Sequence, residues 1–292
     1  MRGPAGRFAP SPSGRLHLGN LACSLLAWLS ARSRGGRVIL RIEDLDAARC
    51  PRVYADQLEE DLRWLGLDWD EGGSRGGPHG PYYQSECGEI YTKSYKKLEA
   101  MGLVYPCFCS RAQLHAASAP HTADGNVVYP GTCRGLTPAQ VAEKSRVKAP
   151  AWRIRVPDEE VAFTDGVFAY QLAVVVDDAR MGVTEVVRGA DLLSSTARQI
   201  YLYRLLGLTP PAFAHCPLLL DAEGRRLSKR DGDQSLENLR GRYTAPEIIG
   251  KLAYLYGLQP EPAPRTPDSL VPGFDWARVP KHDVRLEPGM FA

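Results

Sequence analysis

Apolar and polar positions fall along this chain in blocks that predict strand, helix and strand in turn. Residues 3–9 read as a strand, residues 18–34 as a helix rich in Leu and Ala, and residues 37–44, RVILRIED, as a buried strand carrying Val38, Ile39, Leu40 and Ile42. That order predicts a right-handed parallel unit. Residues 54–67 place Leu58, Leu62 and Leu65 at helical spacing and residues 90–103 are helical as well, each stopping near a glycine, Gly66 and Gly102. Between them DEGGSRGGPHGPYYQ has loop composition.

At Val104 the pattern changes to turns and short strands, which continue to about Ala169 and read as an insertion. YQLAVVVDDARMGVTEVVRG then returns to apolar strand text, and residues 197–208 form an amphipathic helix. A parallel sheet split by an inserted lobe is the expected architecture. After Arg242 a last helix, about 246–256, precedes the proline-rich QPEPAPRTPDSLVPGFDW, expected to lie extended over the surface.

Composition narrows the classes. A 44% hydrophobic chain of 292 residues can bury a full core. The balance of 36 basic against 34 acidic residues gives a net charge of +2, so any nucleic-acid surface must be local. No apolar run approaches the ~20 residues of a membrane span, and the first residues lack a secretory core, so a cytoplasmic protein without membrane partners is expected. Seven cysteines, an odd number, suit reduced thiols and a metal site better than a disulfide framework.

Candidate chemistry begins in RFAPSPSGRLHLGN, residues 7–20. Gly14 permits a turn after the first strand, and the helix that follows aims its free N–H groups and positive dipole end at the carboxyl edge of the sheet, where phosphate binds. His17 and Asn20, three apart on the first turn, can reach one anion, while Gly19 lets a flat base approach. On its own the motif would also suit a capping or surface histidine. A second basic loop, EGRRLSKRDGD, follows the strand-like HCPLLLD and places Lys229 among Arg225, Arg226 and Arg230, where it could close over a polyphosphate or remain a solvated charge run.

Taken together, HLGN and RLSKR, with RIEDLD, GPYYQSE, CFCS, YQLAVVVDDARMGVTEVVRGADLL and FDWARVP, resemble the class I aminoacyl-tRNA synthetases of the glutamyl branch over nearly the whole chain. The resemblance implies an α/β fold: a Rossmann-like parallel-sheet catalytic domain in two halves, 1–103 and 170–242, the second with the Lys loop, split by a zinc-containing, RNA-facing lobe at 104–169. A short helical C-terminal segment with an extended tail, 243–292, is too short for an anticodon-binding domain. The resemblance further implies ATP with Mg²⁺ and L-glutamate as substrates, His17, Gly19, Asn20 and Lys229 on ATP, with His17, Asn20 and Lys229 catalytic, and a glutamate pocket of Arg7, Ser11, Glu43, Tyr170 and Arg188, thought to stand at ends of separate strands. Within the branch the likeness is to a short form that acts as a monomer and transfers glutamate to queuosine in the anticodon of tRNA(Asp). A truncated enzyme charging the 3′ end of tRNA(Glu), or a non-catalytic zinc-binding RNA adaptor, are the alternatives.

Cys107, Cys109 and Cys133 supply three soft ligands in a loop-rich lobe that a tetrahedral Zn²⁺ would order. For the fourth ligand, zinc chemistry favours His115 or His121, whereas the family resemblance implies Tyr129, in the Tyr-x-x-x-Cys pattern. Tyr129 is the expectation, with His121 and three metal-free thiols as alternatives. Cys23, Cys50, Cys87 and Cys216 have no spacing partners and read as ordinary small side chains.

Overall fold

The computed structural model describes residues 3–110, 113, 129, 131–155, 170–225, 227 and 235–291. Along them run the strands β1 (Ala5–Phe8), β2 (Arg37–Leu40), β3 (Glu71–Gly72), β4 (Val104–Cys107), β5 (Ala151–Ile154), β6 (Glu185–Gly189), β7 (Ala212–Cys216), β8 (Leu219–Leu220) and β9 (Val284–Arg285), with helices between most of them. The chain forms two compact units, one of Met1–Glu86, Asp178–Leu193 and Pro210–Ala292, the other of Cys87–Asp177 and Ser194–Thr209.

Parallel strands organise the first unit. β1 pairs with β2, Arg7 opposite Ile39, and β2 pairs with β3. A second parallel pair, β6 with β7, sets Arg188 opposite His215. The Thr184 N–H donates to the Ala5 carbonyl at 2.9 Å and the Ala5 N–H to Thr184 Oγ1 at 2.8 Å, tying the start of β6 to the free edge of β1. Farther along, Arg7 reaches the Val187 carbonyl, so β1 and β6 run the same way and the carboxyl ends of β1, β2, β6 and β7 face one side.

The helix Leu18–Arg32 crosses from β1 to β2. Leu18, Leu21, Leu25 and Leu29 recur at three- and four-residue spacing, and with Leu26 and Trp28 they bury most of its circumference, as expected of a helix laid over a sheet. Each leucine removed from water contributes about 1.5–3 kcal/mol. Within the same core Cys216, at the end of β7, lies with its Sγ 3.8 Å from that of Cys23, so these two thiols, unpaired by sequence spacing, are neighbours in space.

Three expectations are corrected. Residues 170–180 form a helix, Tyr170–Arg180, not a strand, and Tyr170 therefore opens a helix rather than ending a strand. Leu172, Ala173, Val174, Val175 and Val176 are all buried, and a helix with no polar stripe cannot show a helical period, while its valines read as strand formers. The strand expected over 37–44 ends at Leu40, after which Ile42 keeps a single bridge to Tyr83. The proline-rich tail is not simply laid over the surface: it forms the short helix Pro267–Leu270, sends Trp276 Nε1 to Ser30 Oγ at 2.9 Å, and returns as β9 against β8. Leu270, Val279, Val284, Leu286 and Phe291 join the core, so apolar burial overrides the extended bias of the prolines between them.

In the second unit β4 and β5 pair antiparallel, Tyr105 opposite Arg153 and Cys107 opposite Ala151. The helix Pro138–Val147 starts in a capping box, Gln140 N–H to Thr137 Oγ1 at 3.3 Å and Thr137 N–H to Gln140 Oε1 at 2.9 Å. Tyr91 donates its hydroxyl to Asp177 Oδ2 at 2.7 Å, and this buried partner raises the phenol far above its usual range after burial itself has done so. Among the described residues no helix is long and apolar enough to cross a membrane.

Candidate functional site

Just past β2, the Arg41 N–H donates to the Phe8 carbonyl at 2.9 Å and the Glu43 N–H to the Pro10 carbonyl at 3.0 Å, so residues 41–43 follow the chain leaving β1. Two residues apart on extended chain, Arg41 and Glu43 point the same way and their side chains pair at 3.0 Å. Arg41, 0% exposed, also meets Asp178 Oδ1 at 2.5 Å, and that oxygen takes Arg7 Nε at 3.6 Å. Two buried cations and two buried carboxylates thus balance one another, which isolated burial of any one would forbid. Burial pushes the Glu43 carboxyl up, against the pull of Arg41 and Arg7. Arg7 Nη1 donates to the Val187 carbonyl at 3.2 Å, and its Nε is buried without a hydrogen-bond partner among the described residues.

Arg188, on the strand next to β1, is likewise buried. Its Nε lies 3.4 Å from His215 Nε2 and its guanidinium carbon 5.0 Å from the centre of the Phe213 ring. Burial, and then the Arg188 charge, hold His215 below its ordinary value, so the imidazole stays neutral beside the guanidinium at neutral pH. The pocket end of β6 therefore keeps a positive charge.

His17 stands at the N-cap of the helix Leu18–Arg32, without a side-chain capping bond to that helix, after a turn in which Gly14 takes φ +138°. A Cβ on Gly19 would lie 3.2 Å from His17 Cε1 and 3.3 Å from Nδ1, so the glycine makes room for the imidazole. Asn20 and Ser11 are exposed. His17 forms an antiparallel bridge with Ser235, and the Leu236 N–H donates to the Leu16 carbonyl at 2.8 Å. Ser235 and Leu236 therefore lie against the helix mouth. Lys229 itself, with Arg226 and Arg230, lies outside the described residues. Arg225 is described, and it turns back to Asp221 at 2.9 Å and Glu223 at 3.2 Å.

Arg7, Glu43, Arg188 and His17, all four named as candidates from the sequence, thus stand on the carboxyl side of the parallel strands of the first unit. Sequence reading missed Arg41, Asp178 and His215. The signal for Asp178 was an acidic pair inside the apolar run LAVVVDDA. For Arg41 it was charge inserted between the buried Leu40 and Ile42. Tyr170 belongs to the other unit, half-buried at the start of its helix.

The second unit holds the cysteine cluster. Cys107 closes β4, Cys109 follows it, and the Sγ atoms of Cys107, Cys109 and Cys133 all lie within 4.8 Å of one another. Cys109 and Cys133 are 3.7 Å apart, close to the ~3.8 Å edge of a sulfur tetrahedron with metal–sulfur bonds of about 2.3 Å. The Tyr129 hydroxyl stands 3.3 Å from Cys107 Sγ and 3.9 Å from Cys109 Sγ, and accepts the Cys133 N–H at 2.8 Å. Four donor atoms with this spacing fit a zinc ion. Burial raises the Cys107 thiol, yet the Tyr129 hydroxyl and the Arg153 guanidinium outweigh it and bring the thiol down to about 7. His115 and His121 lie outside the described residues.

Comparison with known proteins places this geometry in context. Residues 5–169 and 162–265 match the model of the class I tRNA synthetase catalytic domain, E and Q. The chain is similar to a glutamyl-Q tRNA(Asp) synthetase of Symbiobacterium thermophilum, 55% identical over 96% of this chain and 95% of that one. It is similar to glutamate–tRNA ligase 2 of Acidithiobacillus ferrooxidans, 45% identical over 85% of this chain but only 57% of that one. Among solved structures, a glutamate tRNA ligase from Elizabethkingia meningosepticum in complex with its amino acid superposes with a TM-score of 0.81 at 28% identity, over 99% of this chain and 68% of that one.

Proposed function

Because the chain belongs to the class I tRNA synthetases of the glutamate and glutamine branch, we propose that it joins L-glutamate to the α-phosphate of ATP and passes the activated glutamate to queuosine in the anticodon of tRNA(Asp). The carrying observation is the pair of buried arginines, Arg7 and Arg188, on neighbouring strands beside the His17 helix mouth. A planar guanidinium suits a carboxylate, and two of them suit a dicarboxylic amino acid. In this reading Arg7 and Arg188 hold the side-chain carboxylate and Glu43 takes the substrate ammonium, whose charge offsets the burial that pushes Glu43 toward its neutral form. Ser11 completes the pocket.

The α-carboxylate is already ionised and attacks the α-phosphorus; the bond to the bridging oxygen breaks and pyrophosphate leaves with its electron pair. No enzymic base is needed, and positioning with charge stabilisation suffices. His17, Gly19 and Asn20 receive the phosphates at the helix mouth, with Mg²⁺ travelling on ATP, and Lys229 neutralises the departing pyrophosphate. Since that charge grows as the bond breaks, Lys229→Ala should lower glutamate-dependent ATP–pyrophosphate exchange by ~10²-fold with little change in the KM for ATP. Normal exchange in the variant would remove the loop from the mechanism, and absence of exchange with glutamate in the parent protein would remove the activity.

The acceptor reading is supported by degree of identity: the similar glutamyl-Q tRNA(Asp) synthetase is 55% identical to this chain, against 45% for the similar glutamate–tRNA ligase. Splayed anticodon bases can enter a crevice that paired RNA cannot. Zinc held by Cys107, Cys109, Tyr129 and Cys133 would order the second unit and take no part in activation. Protein purified without added metal should contain one zinc per chain by elemental analysis; a content near zero would remove this site from the proposal, and zinc retention by Tyr129→Phe but not by His121→Ala would move the fourth ligand to His121.

A further inference from the structure

We propose that Arg153 is the internal counter-charge of the metal–thiolate centre, a positioning residue that makes the three cysteines hold a divalent ion tightly. Strand pairing fixes its place. Arg153 on β5 stands opposite Tyr105 on β4, and alternation brings Cys107, two residues on, to the same face on the diagonal. It is 0% exposed, and its guanidinium carbon lies 3.7 Å from the centre of the Tyr129 ring. Nε and both Nη atoms are buried without a hydrogen-bond partner among the described residues. None of the described carboxylates forms an ion pair with it, and among the described residues basic groups stand near the cluster: Lys148 donates to the Cys109 carbonyl at 3.4 Å, Arg155 lies 5.1 Å from the Tyr105 ring, and Arg155 Nη2 donates to the Arg134 carbonyl at 3.0 Å.

A fully buried guanidinium that faces an aromatic ring and the Cys107 thiol, with no carboxylate paired to it among the described residues, is costly, because these contacts recover less than an uncompensated buried charge costs. The missing negative charge is supplied when the site is filled. Three thiolates and a neutral Tyr129 phenol around a divalent ion carry a single net negative charge, and one guanidinium neutralises it. This inference rests on the reading that the cluster holds zinc, and it predicts a relation between the two forms of the protein. Arg153 should favour the loaded form and burden the stripped one.

The test is the full-length protein with Arg153→Met and Arg153→Lys, each measured stripped of metal and loaded with zinc. Competition against a chromogenic chelator should show zinc affinity ~10- to 100-fold weaker in Arg153→Met and mostly retained in Arg153→Lys, the range expected for a residue just outside the ligands. Thermal unfolding gives the second readout: Arg153→Met should be no less stable than the parent when stripped, and should gain less from added zinc. A residue that merely fills space would lower the stripped and loaded Tm together and leave affinity unchanged, and that result overturns the proposal. So does a lysine variant as weak as the methionine one. If the parent itself binds no zinc, the metal reading fails first, and the affinity series distinguishes that outcome from failure of the Arg153 role alone.

Discussion

Arg188→Ala is expected to lower glutamate-dependent ATP–pyrophosphate exchange by at least ~10³-fold, a loss of about 4 kcal/mol in transition-state binding. The size follows from where Arg188 sits. It is buried beside the Phe213 ring, and its neighbour His215 is held neutral, so no second cation on that strand end takes over when the guanidinium is removed. A substrate carboxylate brought into such a place with Arg7 alone to meet it keeps its desolvation cost without half of the compensating bonds. The same reasoning makes glutamine a poor substrate for the parent enzyme, because a neutral amide leaves the arginine unpaired, and makes aspartate poor because it falls one methylene short. The KM for ATP should change little, since the variant acts on the amino acid. Exchange kinetics with glutamate, glutamine and aspartate check this, and a loss below ~10-fold would take Arg188 out of the pocket.

The second large effect is on stability. Asp178→Ala should destabilise the protein by about 3–5 kcal/mol in urea unfolding, the cost of breaking a buried ion pair from one side. Asp178 is 1% exposed and one of its oxygens serves both Arg41 and Arg7. Without it two buried guanidiniums lose the carboxylate oxygen they share. Arg41→Met in the same protein should recover part of the loss, because it removes one of the stranded charges, and this separates charge imbalance from simple loss of packing. A loss under ~1 kcal/mol would mean that the network is hydrated and that its members are not held as described.

How far the sequence carried these conclusions depends on the kind of signal each residue leaves. β1, the crossover helix and the start of β2 were legible because Leu18, Leu21, Leu25 and Leu29 repeat at helical spacing between two short apolar runs. Arg7, Glu43 and Arg188 were legible only through their placement beside strand ends in recognisable motifs. Asp178 was not, since its partners are 137 and 171 residues away and its own helix, buried on every side, imitates a strand. The tail misled for the opposite reason: its prolines announce an extended chain, while the residues that decide its course, Val279, Val284, Leu286 and Phe291, are sparse and act only once the core exists to receive them. Cys107-x-Cys109 pointed to the thiol cluster by spacing alone. Arg153 did not, because a buried arginine and a surface arginine look the same in a sequence and only the pairing of β4 with β5 reveals which it is.

Transfer of labelled glutamate tests the central claim most directly. The full-length protein is given ATP, labelled glutamate and either tRNA(Asp) bearing queuosine, tRNA(Asp) lacking it, or tRNA(Glu), and each product is cut to separate the anticodon loop from the 3′ end. The account predicts label only on tRNA(Asp) bearing queuosine, and only in the anticodon-loop fragment. Label on the 3′-terminal fragment of tRNA(Glu), indifferent to queuosine, would contradict it and make the protein a charging enzyme of the same branch.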